Sequence, residues 1–152
     1  MTKTHTILRL AQEVADSLPE MFRKKGPGEG NKFTNQYMAI LNQKVTETLG
    51  RDYVEQRISG DTDQCVDFFI REEKTIVEVE LSLYNVHTNL DRDIFKALLA
   101  IDSGHQIQTL FLIGKEYAKQ RHTQPASMAL IDWVKRHHGL KVVIEDIKKN
   151  RA

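Results

Sequence analysis

Three acids interrupt two runs otherwise suited to burial. In "VDFFIREEKTIVEVELSL", residues 66–83, Asp67, Glu78 and Glu80 stand among Val, Phe, Ile and Leu. A carboxylate on strand surface that faces a core is costly to desolvate unless it is paired. Folding the run into a hairpin shows where the acids go. A turn over Arg71 to Lys74 pairs Ile70 with Thr75, Phe69 with Ile76, Phe68 with Val77 and Asp67 with Glu78, after which Val66 meets Val79 and Cys65 meets Glu80. Side chains alternate between faces. Val66, Phe68, Ile70, Val77, Val79 and Leu81 then form one apolar face, and Asp67, Glu78 and Glu80 gather on the other, beyond Phe69 and Ile76. Like charges set opposite one another destabilise a sheet. Neither strand brings a lysine or arginine to that face except Arg71 at the turn. The acids either point at water or surround something positive, and a hard divalent cation such as magnesium takes such oxygen ligands. The chemistry it supports is phosphoryl transfer, because the ion acidifies a bound water and offsets charge on the phosphate. Glu80 need not ligate, since it can orient the attacking water or accept its proton. Glu47, seven residues beyond Ile40 on a preceding helix, reaches the same site if that helix packs beside the sheet, and is otherwise a surface residue.

The elements that must position these groups follow from periodicity. Ile7, Leu10, Ala11, Val14, Leu18, Met21 and Phe22 have helical spacing, with Pro19 marking a break. The basic, glycine-rich "RKKGPGEGNK" from Arg23 to Lys32 is a connection, either solvated or meeting phosphate. Phe33 to Leu49 reads as a helix stopped by Gly50. Strands are expected at Tyr53 to Ser59, Gln64 to Ile70 and Thr75 to Leu83, a helix at Leu90 to Asp102 with Asn89 as N-cap, a strand at Ile107 to Ile113, a helix at Ser127 to His138 and a strand at Lys141 to Glu145. The order α-β-β-β-α-β-α-β implies an α/β domain. Its central mixed sheet, an antiparallel meander plus right-handed crossover strands, is flanked by helices on both faces.

With 152 residues the chain suits one domain with its own core. Its expected parts are an N-terminal helical segment over 1–25, a glycine-rich loop over 26–32 and a core over 33–146. The composition is that of an ordinary globular protein, 40% hydrophobic and 28% charged, with a net charge of +1. Nucleic-acid binding would therefore depend on local patches rather than a global field. The single cysteine, Cys65, excludes an intrachain disulfide and is expected to fill core. No signal peptide and no membrane-length apolar run is evident, so an intracellular, cytoplasmic protein is expected. The six histidines show no zinc spacing, and His137-His138 complement the last helix's C-terminus.

An Asp, a hairpin, a Glu-x-Glu and a helix resemble the PD-(D/E)xK nuclease superfamily, the restriction endonuclease-like fold. The matching residues are Asp67, the triplet Glu78-Val79-Glu80 and the helix "LDRDIFKALLAID", within a resemblance covering roughly Phe33 to Ile113. Val66 stands where many members have proline. Glu80 stands where lysine is usual, a departure seen in some type II restriction endonucleases. The resemblance implies a magnesium-dependent (manganese possible) DNA endonuclease, often a homodimer. It implies Asp67 and Glu78 as ligands, Val79 offering its carbonyl, Glu80 as base or additional ligand and Glu47 as the helix-borne acid. Lys96 is a candidate to replace the missing lysine, or else a solvated helix residue. Lys24, Lys25, Lys32, His87, Lys115, Lys119 and Arg121 are the candidate DNA contacts. A catalytically silent member of the same fold that binds nucleic acid or a protein partner is the alternative.

Overall fold

The computed structural model of the chain describes residues 1–23, 29–81 and 86–149, with backbone alone at Glu29 and 86–88. Five helices flank a five-stranded sheet among these residues. Helix α1, Lys3–Ser17, ends just before Pro19, which opens a short 3-10 turn at Pro19–Phe22. Helix α2 spans Glu29–Leu49 and is followed by Gly50 at φ +116°. It begins within the stretch expected to be a glycine-rich loop, so 29–32 are helical. The strands are β1 Val54–Gln56, β2 Val66–Ile70 and β3 Thr75–Glu80. Helix α3, Val86–Asp102, leads to β4, Thr109–Gly114. A single helical turn, α4 Ala118–Arg121, precedes α5, Pro125–His138, and the last strand, β5 Lys141–Asp146. Asn89 lies inside α3 rather than capping it, because the helix starts at Val86.

The sheet order is β1-β2-β3-β4-β5, antiparallel across β1, β2 and β3 and parallel across β3, β4 and β5. This is the α/β mixed sheet with flanking helices that the element order implies. The hairpin register is Phe68 to Val77, Phe69 to Ile76 and Ile70 to Thr75. The turn closes through a 3-10 segment and Lys74 in the left-handed region. The first strand is shorter than expected, Val54–Gln56 against Tyr53 to Ser59, and its middle residue, Glu55, has φ +50° with its side chain accepting from Asn42 Nδ2 at 3.1 Å.

Two cores lie on the two faces. One joins Ile7, Leu10 and Val14 of α1 and Tyr37, Leu41 and Val45 of α2 to Phe68, Ile70, Val77 and Phe111. The other joins Leu90, Ile94, Ala97 and Ala100 of α3 and Val134 of α5 to Phe69, Ile76, Leu110 and Leu112. Each fully buried Leu or Ile here contributes about 1.5–3 kcal/mol. Val66 joins the second core, not the face of Phe68 as strict alternation predicts, at a point where the β2–β3 pairing has ended. Cys65 is exposed rather than core-filling, since it precedes the first residue of β2. The hairpin turn also anchors α1: Glu73 accepts from Lys3 N at 2.7 Å, Thr4 N at 3.0 Å and Thr4 Oγ1 at 2.6 Å. These bonds satisfy first-turn donors that a helix cannot satisfy internally.

Candidate acidic and cation-binding site

The pairing of β2 with β3 stops at Phe68 and Val77. Just beyond, the acids replace the backbone as acceptors. Val79 N donates to Asp67 Oδ2 at 2.8 Å, and Asp67 N donates to Glu78 Oε1 at 3.2 Å. Asp67 therefore braces the open end of the hairpin. Val79 contributes its N–H to that brace.

Helix α3 supplies the rest. Its apolar stripe is Leu90, Ile94, Ala97 and Ala100, packed on the second core. Asp93 and Lys96 flank that stripe, one helical turn apart, and so are carried against the sheet end. Asp93 is 0% exposed and Glu78 3%. Lys96 is buried too, with its Nζ 2.8 Å from the Cys65 carbonyl, 3.0 Å from Glu78 Oε2 and 3.8 Å from Asp93 Oδ1. The Lys96 carbonyl accepts from the buried Ser59 hydroxyl at 2.8 Å, which fixes the helix at this point. The positive charge that neither strand carries thus comes from the helix. Glu80 keeps more solvent contact and meets Arg92 at 3.6 Å.

Glu78, Glu80 and Asp93 each offer an oxygen within 4.8 Å of the others, a group that could hold a metal ion. Both oxygens of Asp93 lack a hydrogen-bond donor. The neighbouring Glu80 carboxyl is itself an acceptor, so the two can associate only across a proton or a cation. Burial pushes the Asp93 carboxyl far above the ordinary carboxylate range, with Glu80 and Glu78 adding to it and Lys96 opposing. Burial and the Asp67 charge raise Glu78, against the pull of Lys96. Asp67 is raised by burial, partly offset by the Val79 N–H. For Lys96, burial alone would lower the pKa, but the surrounding acids outweigh it and leave the ammonium strongly held. Four carboxyls, Asp67, Glu78, Glu80 and Asp93, thus gather around one buried ammonium.

The expected site residues separate clearly. Asp67, Glu78, Glu80 and Lys96 come together. Glu47 does not: it is exposed on α2, bonded to Gln43 at 3.1 Å, and α2 packs on the opposite face of the sheet. Asp93 joins the acids although the motif did not include it. Its signal was the spacing Leu90, Asp93, Ala97, Ala100, which puts an acid on an otherwise apolar stripe.

Of the candidate DNA contacts, Lys24 and Lys25 lie outside the described residues, as does the side chain of His87. Lys32 is exposed on α2. Lys119 is exposed, with Nζ 3.8 Å from Glu145. Lys115 and Arg121 lie near the acids, lining a cleft with Glu80, Asn89 and His122. No described helix is long and apolar enough to cross a membrane. No protein-family model, no curated protein and no solved structure matches the chain.

Proposed function

We propose that this chain is a divalent-cation-dependent nuclease of restriction endonuclease-like fold that hydrolyses phosphodiester bonds in DNA. The observation that carries the reading is Asp93: a fully buried carboxyl with no hydrogen-bond donor, sharing a 4.8 Å cluster with Glu78 and Glu80. A fold gains nothing from such a group alone, since an unsatisfied buried polar atom costs about 1–3 kcal/mol, more when charged. Oxygen donors alone suit magnesium or manganese rather than a softer metal.

Glu78, Glu80 and Asp93 would hold the ion. Bound there, it supplies positive charge to phosphate oxygens and lowers the pKa of water. Asp67 fixes the strand carrying Glu78 and Glu80 through the Val79 N–H. Lys96 holds Glu78 in one orientation and brings a cation to a site whose Glu-x-Glu motif lacks one. Glu80, the least enclosed acid of the cluster, is the group best placed to accept a proton from an attacking water. The alternative reading, a silent fold that binds without cutting, draws on the same contact: Lys96 already supplies Glu78 with a counter-charge.

Magnesium and manganese titration by calorimetry, with nicking of supercoiled plasmid, tests the proposal. Binding and cleavage are expected in the wild type, both lost in Asp93→Asn and Glu78→Gln variants that remain folded. Metal binding without cleavage of supercoiled, linear or branched DNA would leave the silent reading. Absence of both removes the nuclease.

A further inference from the structure

We propose that the outer face of α3 and α5 is an interface between two copies of this chain, in which α3 of each copy lies on α5 of the other. The inference stands apart from the nuclease reading, because its residues lie off the acid cluster.

Incomplete burial is the first support. Helices α3 and α5 touch one another on the second core. Of the fourteen residues of α5 only Ser127 and Val134 are buried, with Leu130 and Ile131 half-covered. A helix draws most of its stability from packing an apolar face, and α5 packs little of its own. On α3, the residues Asp91, Phe95, Leu98 and Asp102 are spaced by four, three and four, so they share one face. Phe95 is 62% exposed and Trp133 of α5 is 40% exposed. The rings of His137 and His138 lie 5.8 and 5.1 Å from that of Trp133. The indole is therefore already confined and loses little freedom on being covered. Ala129, one turn before Trp133, is exposed and small, and so leaves room beside the indole for a large side chain from outside.

Charge and symmetry are the second support. Each helix returns to the amino end of a strand in the parallel set, Thr109 of β4 and Lys141 of β5, so the two run in one direction. Two such layers stack about a two-fold axis in one of two ways. An axis across the helices lays α3 on α3, antiparallel, and sets Asp91 against Asp102 of the second copy at both ends. Like charges in that position oppose association. An axis along the helices instead lays α3 on α5 in the same direction. Asp102 then meets the last turn of α5, where Lys135, Arg136, His137 and His138 gather. Asp91 meets the first turn of α5, which has no acid and no side-chain cap. A carboxylate there complements the helix dipole. Phe95 precedes Asp102 by seven residues and Ala129 precedes Arg136 by seven, so pairing Asp102 with Arg136 seats Phe95 over Ala129, beside Trp133. Arg136 bonds Asp132 through Nε at 2.7 Å, and its other guanidinium N–H groups suit a second carboxylate.

Sedimentation equilibrium of the full chain is the test. A concentration-dependent dimer is expected, and a monomer at every concentration overturns the proposal. Phe95→Ser and Trp133→Ser change exposed side chains, and circular dichroism should show both variants folded. Each should weaken the dimer at least about tenfold, since an aromatic anchor is lost and the two-fold repeats the loss. Folded variants that dimerise as tightly as the wild type overturn the surface. Asp102→Arg and Arg136→Asp should each weaken the dimer, and an equal mixture of the two should dimerise again, because every contact then pairs opposite charges. Failure to recombine overturns the pairing of α3 with α5. Tighter association of Asp102→Arg alone selects the antiparallel arrangement and overturns it too. A wild-type dimer that neither binds magnesium nor cuts plasmid removes the nuclease and spares the interface, whereas a monomer that cuts removes the interface and spares the nuclease.

Discussion

The Lys96 ammonium and the Glu78 carboxylate meet at 3.0 Å with side chains only 9% and 3% exposed. Attraction is strong at such a site, and so is the penalty for breaking the pair, because the survivor stays buried. At pH 9, above the Glu78 pKa, Lys96→Met should destabilise the metal-free protein by about 3–5 kcal/mol. Adding Glu78→Gln to that variant should restore much of the loss. A urea double-mutant cycle reads both, and additive losses would show that the two groups do not act as a pair.

Asp93→Asn removes an acid that has no donor while keeping its shape. In the metal-free protein the change should be close to neutral, since burial already keeps the Asp93 carboxyl protonated and the amide removes no charge. With saturating magnesium the order should reverse, because the ion stabilises only the fold that binds it. Thermal melts of both proteins, with EDTA and with magnesium, test this. A variant that gains as much from magnesium as the wild type would exclude Asp93 as a ligand.

Two pH windows follow from opposite shifts. Burial and the Asp67 charge raise the Glu78 pKa from 4.5 to about 8 in the folded protein. The folded state then binds the proton more tightly than the unfolded chain, so this stabilisation is complete below about 4.5 and is lost as pH rises toward 8. Glu72 runs the other way: its hydrogen bond from Tyr53, helped by Lys3, lowers it to about 2. That contribution is present above about 4.5 and is lost as pH falls toward 2. The metal-free protein should therefore melt highest near pH 5 and lose several degrees by pH 9. Magnesium should move the optimum upward, as the cation takes the place of the protons. A metal-free optimum at pH 8 would contradict the Glu78 assignment.

Glu73 links the hairpin turn to α1 through three hydrogen bonds, two of them to backbone donors of the first turn. Glu73→Ala should cost about 2 kcal/mol, the upper range for loss of a cap. Hydrogen exchange should speed in α1 more than in α3, which shares no contact with that carboxylate. Equal effects in both helices would place the contribution elsewhere.

The hairpin register was legible because turn length and the two-residue alternation leave one solution for Phe68, Phe69 and Ile70. The break at Pro19 was legible for a similar reason: the ring removes a donor and stops α1. Asp93 was legible in principle, since the spacing from Leu90 to Ala100 is helical, but a motif centred on the strands directs attention away from it. Lys96 needed the packing of α3 to become a partner of Glu78 rather than a solvated residue. Glu47 was misplaced because the side of the sheet on which α2 packs is a tertiary choice. Cys65 was misjudged by its apolar neighbours, since β2 starts one residue later. The cleft around Lys115 and His122 had no local pattern, because it exists only where β4 and α4 approach closely.

That approach gives the last prediction. Gly114 faces the Ala118 Cβ with no room for a side chain of its own. Gly114→Val should force α4 away from the strand end and lower stability by about 1–3 kcal/mol, the usual cost of overpacking. Asp93 and Glu78 are anchored by α3 and β3, so magnesium affinity should change little. Lys115 and His122 should shift with α4. Urea melts and magnesium calorimetry on the variant separate the two effects. Loss of magnesium affinity together with stability would mean that the strand end and the acid cluster move as one unit, whereas loss of stability alone leaves the acids supported by α3 and β3.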